Sequence, residues 1–139
     1  MATGSNALPD GSLLYLWHRG HASLEDAYAE LHKIVSEGRL KPGVPHLLDL
    51  SEVVSFDKDA LEVMKINLDV AVMLDLLGGE TLLVMYAPTI TARRMAKMMY
   101  DFWHGSGVVV PRIADEEAAA LAMVGRSETR FSELGFVPA

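Results

Sequence analysis

The chain has 139 residues and a mass of 15.2 kDa, which is the length of one ordinary domain and leaves no room for a second. Half of the residues are apolar and 22% are charged, so collagen-like, low-complexity and wholly disordered chains are excluded. The absence of cysteine excludes disulfides, zinc ribbons, iron–sulfur clusters and thiol nucleophiles. A net charge of -7 disfavours nucleic acid and anionic membrane surfaces as partners.

The two ends of the chain differ in composition from its middle. Residues 1–11 are small and polar without the pattern of a signal peptide, so we expect a flexible start. Residues 126–139 form a largely polar tail whose few apolar side chains either dock or fray. The longest apolar-rich stretch, 63–77, is interrupted by charges and is shorter than the roughly 20 residues of a membrane span. These patterns predict one cytoplasmic domain over 12–125, with no integral membrane association.

The first predicted elements are a strand over 13–17, a turn over 18–21 and an amphipathic helix. Apolar residues then recur at helical spacing, Ser23 with Asp26 resembles a capping pair, and Gly38 is typical of a helix end.

The middle of the chain repeats this alternation. An apolar run over 46–50, extended at most through 54, predicts a second strand, and a helix is expected over 59–77. The charges of this helix share one stripe and leave most of its circumference apolar: Glu62, Lys65 and Asp69. A helix with so little polar surface favours a homodimer contact. A third strand is expected over 81–86.

The last elements are a helix capped by Thr89 or Thr91, a strand over 108–113 and a short helix capped by Asp115. Pro111 cannot donate to a ladder, which places its strand at a sheet edge. The order β-α-β-α-β-α-β-α predicts an α/β domain with a mainly parallel or mixed sheet of about four strands and about four helices.

Three groups of side chains are candidates for chemistry. His18 and His21 are three residues apart, but His46 is expected at the other end of the sheet, and two histidines without a carboxylate make a weak metal site. Acidic residues follow the second strand, where open α/β sheets bind ligands, although a helix cap at Asp57 or Asp59 with solvated charges elsewhere is the simpler explanation: Asp49, Asp57, Asp59 and Glu62. We assign no catalytic residue, metal or cofactor.

The third group is the only local basic cluster, at the start of the third helix. It consists of Thr89, Thr91, Arg93, Arg94 and Lys97. Hydroxyls, backbone amides and cations at a helix N-terminus suit an anion such as phosphate or a carboxylate, whereas the alternative is a solvated face.

Residues 48–61, Leu-Asp-Leu-Ser-Glu-Val-Val-Ser-Phe-Asp-Lys-Asp-Ala-Leu, resemble the STAS domain of anti-sigma-factor antagonists, and more closely its SpoIIAA-like relatives. The stretches 20–26 and 112–118 extend the resemblance, which covers about 13–124. It implies a STAS-type domain with four helices and a mixed sheet, in a branch related to lipid-exchange folds. Lys58-Asp59-Ala60 replaces the phosphorylatable Ser-Ser-Gly of the switch proteins, which argues against switching by serine phosphorylation.

Three hypotheses follow. The first is a non-enzymatic STAS-like regulatory or protein-interaction domain, a homodimer or bound to another protein through the second helix and the loop residues Ser55, Asp57, Lys58 and Asp59. The second is a carrier or sensor of a small apolar or acidic-headed, lipid-like ligand, with methionine and aromatic side chains around its body and Arg93, Arg94 or Lys97 at its head. The third is a hydrolytic or metal-dependent enzyme that uses His18, His21 and the acidic loop.

Overall fold

The structure, a computed structural model, describes residues 3–136 and forms one five-stranded sheet with four α-helices. The strands are β1 Thr3–Ala7, β2 Leu14–Ala22, β3 His46–Phe56, β4 Thr81–Tyr86 and β5 Val109–Ala114. The helices are α1 Leu24–Ser36, α2 Ala60–Asp75, α3 Ile90–Trp103 and α4 Glu117–Met123, followed by a 3-10 turn over Phe131–Leu134. The predicted α/β class with a mixed sheet and four helices is confirmed.

The sheet order is β1-β2-β3-β4-β5, with β2 to β5 parallel and β1 antiparallel to β2. Because each parallel crossover steps to the next strand in the same direction, right-handed connections put α1, α2 and α3 on one face. The helix α4 packs on the other face, against β4 and β5. The strand β5 ends the sheet, which confirms the edge position expected from Pro111.

The strand count of about four was too low because residues 3–7, which we expected to be flexible, form β1. This strand pairs antiparallel with Leu14 to His18 of β2. Gly4 permits the pairing, since a Cβ at this position would lie 2.2 Å from Cζ2 of the Trp17 indole. Backbone pairing and one glycine therefore order a polar segment that has no apolar pattern. Residues 1–2 of the expected flexible start and residues 137–139 of the tail lie outside the described part.

The predicted turn over 18–21 is part of β2, which continues to Ala22 with irregular register on both sides of Arg19 and Gly20. His18 is buried and His21 is exposed. The two histidines therefore do not converge on one site.

Three of the predicted helix caps are confirmed. The side chains of Ser23, Asp59 and Thr89 each accept a backbone N–H in the first turn of the following helix. The fourth was wrong, since α4 begins after Glu116 and has no side-chain cap. Its start is instead tied to the tail, because the Glu117 carboxylate accepts the Phe131 N–H at 2.8 Å.

The tail docks on the face of the sheet that carries α4. The rings of Phe131 and Phe136 lie 5.7 and 5.0 Å from the ring of Tyr15, and Leu134 is buried beside them. Within residues 3–136, the length and apolar character needed to cross a membrane are found in no helix.

Candidate functional site

A cavity of about 170 Å³ lies between the sheet and the three helices on one of its faces. Its wall is mostly aliphatic and aromatic, and it includes Leu48, Val70, Leu83 and Trp103. An engineered cavity of about 150 Å³ in another protein accommodates benzene, so this space fits a molecule of roughly six to ten non-hydrogen atoms.

The polar residues of the interior converge on this cavity. In residues 3–136 six polar or charged residues are buried, and all six line it: Thr3, His18, Glu30, His46, Asn67 and Thr81. Burying a polar group costs free energy unless it finds a partner, so polar groups scattered through a core are selected against. Their concentration around one apolar space is typical of a ligand site.

The topology places these residues along the sheet. His46 opens β3 and lies beside Leu14 of β2 in the parallel register. His18 is four residues farther along β2, which corresponds to about 13 Å. Thr81 opens β4, and Asn67 lies on the side of α2 that faces the sheet. The cavity therefore reaches from the amino ends of the parallel strands toward the middle of β2.

Both histidines of the cavity are neutral near pH 7. Burial alone lowers the pKa of His46 to about 4, because no charge or hydrogen bond offsets the loss of water. Burial likewise lowers the pKa of His18 to about 4, and the Asp26 carboxylate acts in the opposite direction. His18 Nδ1 lies 2.8 Å from the Thr3 hydroxyl, so one of its ring nitrogens is satisfied.

Asn67 is the least satisfied of the six. The residue is only 8% exposed, and Nδ2 has no hydrogen-bond partner in the part of the chain that the structure describes. A buried donor without an acceptor costs about 1–3 kcal/mol. Its position on the cavity wall therefore indicates a place where a bound molecule would supply the missing acceptor.

Glu30 is the one charged residue on the wall, and its carboxylate already has partners within the protein. Its carboxylate accepts the Ser5 hydroxyl and lies 3.8 Å from the Arg39 guanidinium, which also donates to Ser5 at 2.6 Å. The cavity wall thus presents no cation.

The structure places the basic cluster outside the cavity, since none of Thr89, Thr91, Arg93, Arg94 and Lys97 lines it. The Thr89 hydroxyl accepts the Ala92 N–H, and Lys97 pairs with Asp101 at 2.8 Å. The cluster follows the carboxyl end of β4, whereas the cavity includes Thr81 at the amino end of the same strand. It therefore does not surround the head of a ligand in this cavity.

Two of the predicted loop residues, Ser55 and Asp57, are brought together by His21. The exposed His21 imidazole binds the Ser55 hydroxyl through Nδ1 at 2.7 Å and the Asp57 carboxylate through Nε2 at 2.8 Å. The other Asp57 oxygen accepts the Leu24 N–H at 2.8 Å. This N–H and then His21 hold the pKa of Asp57 below its usual value. The cluster ties the ends of β2 and β3 to the start of α1.

The other two loop residues also have partners within the chain. The Lys58 ammonium lies 5.0 Å from the centre of the Phe56 ring, and Asp59 caps α2. The residues described by the structure contain no group of three side chains placed to hold a metal ion.

Sequence reasoning did not identify the cavity or bring its residues together. His46 was considered only as a distant metal ligand, although it begins the apolar run of β3. Asn67 interrupts the side of α2 that carries the partly buried Ile66 and Val70, and this polar residue among apolar ones was the signal that could have identified the site.

Comparison with protein-family models and with curated proteins finds no match. Among solved structures, the chain is similar to an uncharacterized protein of the DUF3478 family with a SpoIIAA-like fold, from Shewanella loihica PV-4. The match has a TM-score of 0.56 and 14% sequence identity, and it covers 88% of this chain and 92% of the other. The resemblance inferred from the sequence is therefore confirmed at the level of architecture: this chain has a SpoIIAA-like fold.

Proposed function

We propose that this domain binds a small, mainly apolar molecule in the cavity beneath α2, as a carrier or sensor. The observation that carries the proposal is that the buried polar residues of the described chain all line this one apolar space. A head group at Arg93, Arg94 or Lys97 is not part of the proposal, because these cations do not reach the cavity.

The test compares two substitutions on one helix. Val70 lines the cavity, whereas Val72 faces outward and is 63% exposed. Val70→Phe fills the cavity and should abolish binding of a small apolar probe such as toluene, while Val72→Phe should leave binding unchanged. Titration of the folded protein, followed by the fluorescence of Trp17 and Trp103, which both line the cavity, measures both. Equal binding by the two variants, or none by the unsubstituted protein, would contradict the proposal.

A second candidate function, a protein-interaction domain, rests on the outer face of α2. Five large apolar side chains there are 48–83% exposed: Leu61, Met64, Leu68, Val72 and Leu76. Measured from Leu68, they lie seven and four residues before it and four and eight after it. A nearly symmetric stripe suits an antiparallel contact with the same helix of a second copy. The proposed partner is therefore this chain itself, with the loop from Ser55 to Asp59 at the rim.

Sedimentation equilibrium tests the second candidate. The unsubstituted protein should be a dimer, and Leu68→Glu should give a monomer because it places two carboxylates at the centre of the contact. Glu62→Gln, on the polar stripe of the same helix, is the matched control and should stay dimeric. A monomeric unsubstituted protein at high concentration would contradict this assignment.

A further inference from the structure

We infer that the cavity selects an uncharged molecule with an apolar body and one hydrogen-bonding oxygen, such as an alcohol, phenol, aldehyde or ketone, which the Asn67 amide recognises. This inference rests on the proposed function and specifies the class of ligand. It depends on the charges of the wall, the unmet hydrogen bond and the volume of the space.

The charges of the wall exclude an ionised ligand. Among the lining residues Glu30 has the only acidic side chain and there is no lysine or arginine, and Glu30 is already bonded to Ser5 and near Arg39. A ligand carboxylate would enter an apolar space without a cation and beside another carboxylate. A ligand ammonium would find the Glu30 carboxylate already shared with a guanidinium and a hydroxyl.

The unmet hydrogen bond favours a ligand with an oxygen. Within residues 3–136, Asn67 Nδ2 and Trp17 Nε1 are buried donors without an acceptor, and both residues belong to the cavity wall. His46 is a neutral imidazole of the same wall with no hydrogen bond that affects its protonation. A hydroxyl or carbonyl oxygen near Asn67 would satisfy the donor, and a hydrocarbon would leave it unmet.

Four benzene derivatives of nearly equal size separate these requirements: toluene, benzyl alcohol, benzoate and benzylamine. Each fits the volume of about 170 Å³ on the benzene comparison. Dissociation constants are measured at pH 7.5 by titration of the isotope-labelled protein, followed by NMR. The Asn67 side-chain N–H signals, assigned by their loss in Asn67→Leu, report contact with the ligand.

In the unsubstituted protein, toluene and benzyl alcohol should bind, and benzoate and benzylamine should bind at least a hundredfold more weakly. Benzyl alcohol alone should shift the Asn67 side-chain signals strongly. In Asn67→Leu, the affinity for benzyl alcohol relative to toluene should fall about tenfold, since one buried hydrogen bond is lost. Val70→Leu, an apolar change in the same wall, should leave that ratio unchanged.

Each of the other outcomes would refute one stated part of the inference. If the ratio is the same in Asn67→Leu, recognition of an oxygen by Asn67 is wrong, while binding in the cavity stands. If benzoate or benzylamine binds as tightly as benzyl alcohol, selection of an uncharged head is wrong, and this comparison needs no variant. If neither toluene nor benzyl alcohol binds, the proposed function itself is wrong, and the inference is wrong with it.

Discussion

Acid should destabilise this protein well above the pH at which its carboxylates titrate, because two histidines are buried in the neutral form. Burial lowers the pKa of both His18 and His46 to about 4, from an ordinary value of 6.5. The unfolded chain therefore binds more protons than the folded chain between these values. The contribution to stability is complete above pH 6.5 and is lost progressively as the pH falls toward 4.

The size of the effect follows from these values. Each pKa unit corresponds to about 1.36 kcal/mol, so the full difference for one histidine is about 3 kcal/mol below pH 4. At pH 5 the unfolded histidine is almost fully charged and the folded one is neutral, and the loss is about 2 kcal/mol for each, or about 4 for both. This is a large part of a typical stability of about 5–15 kcal/mol.

Urea unfolding at several pH values between 7.5 and 5.0 measures this loss, with the fluorescence of the buried Trp103 as reporter. The slope near pH 5 should correspond to almost two protons taken up on unfolding. It should be about one proton smaller in His46→Gln and unchanged in His32→Gln, where the imidazole is exposed on α1. Equal stability at pH 7.5 and 5.0, or an unchanged slope in His46→Gln, would refute the burial argument.

Three further substitutions test the parts of the structure that frame the cavity. Glu30→Ala should cost about 1–3 kcal/mol in urea unfolding, because it removes the acceptor of the Ser5 hydroxyl and one of the two carboxylates near the mostly buried Arg39, the other being Glu37 at 3.4 Å; an unchanged free energy of unfolding would contradict this. Gly4→Ala should cost about 1–3 kcal/mol, since its Cβ would overlap the Trp17 ring, and an unchanged midpoint would show that β1 does not pair as described. Asp59→Ala should cost about 1 kcal/mol and reduce helical circular dichroism, whereas Asp59→Asn should retain the cap.

The elements with local signals were predictable. The period of 3.6 residues and a capping side chain located α1 through Ser23 and α3 through Thr89. The apolar run of β4 located a central strand. In contrast, β1 has no apolar pattern, because an edge strand is held by backbone pairing and Gly4 contributes only the absence of a side chain. Such a strand depends on its neighbour and has no signal of its own.

The site could not be predicted in the same way, because its six buried polar residues come from six elements and are brought together only by the packing. Sequence reasoning looked for ligands at the carboxyl ends of the strands, where open α/β sheets usually bind them. The cavity includes instead Thr81 and His46, the first residues of β4 and β3. The Ser55 and Thr89 segments follow the general rule in position, but their side chains largely bond to nearby groups of the chain.

The helix α2 explains why a cavity persists at this position. Its apolar residues are divided between two faces, since Val70 and Leu74 point to the sheet while Leu68 and Val72 point outward. A helix that buried all of them inward would close on the sheet and exclude Asn67 from the interior. Because the outer stripe gains nothing from the core of its own domain, α2 is held in place by fewer internal contacts than a fully amphipathic helix would make. The same division of residues thus leaves the space beneath the helix that we propose holds a ligand, and the apolar surface above it that we propose contacts a second copy.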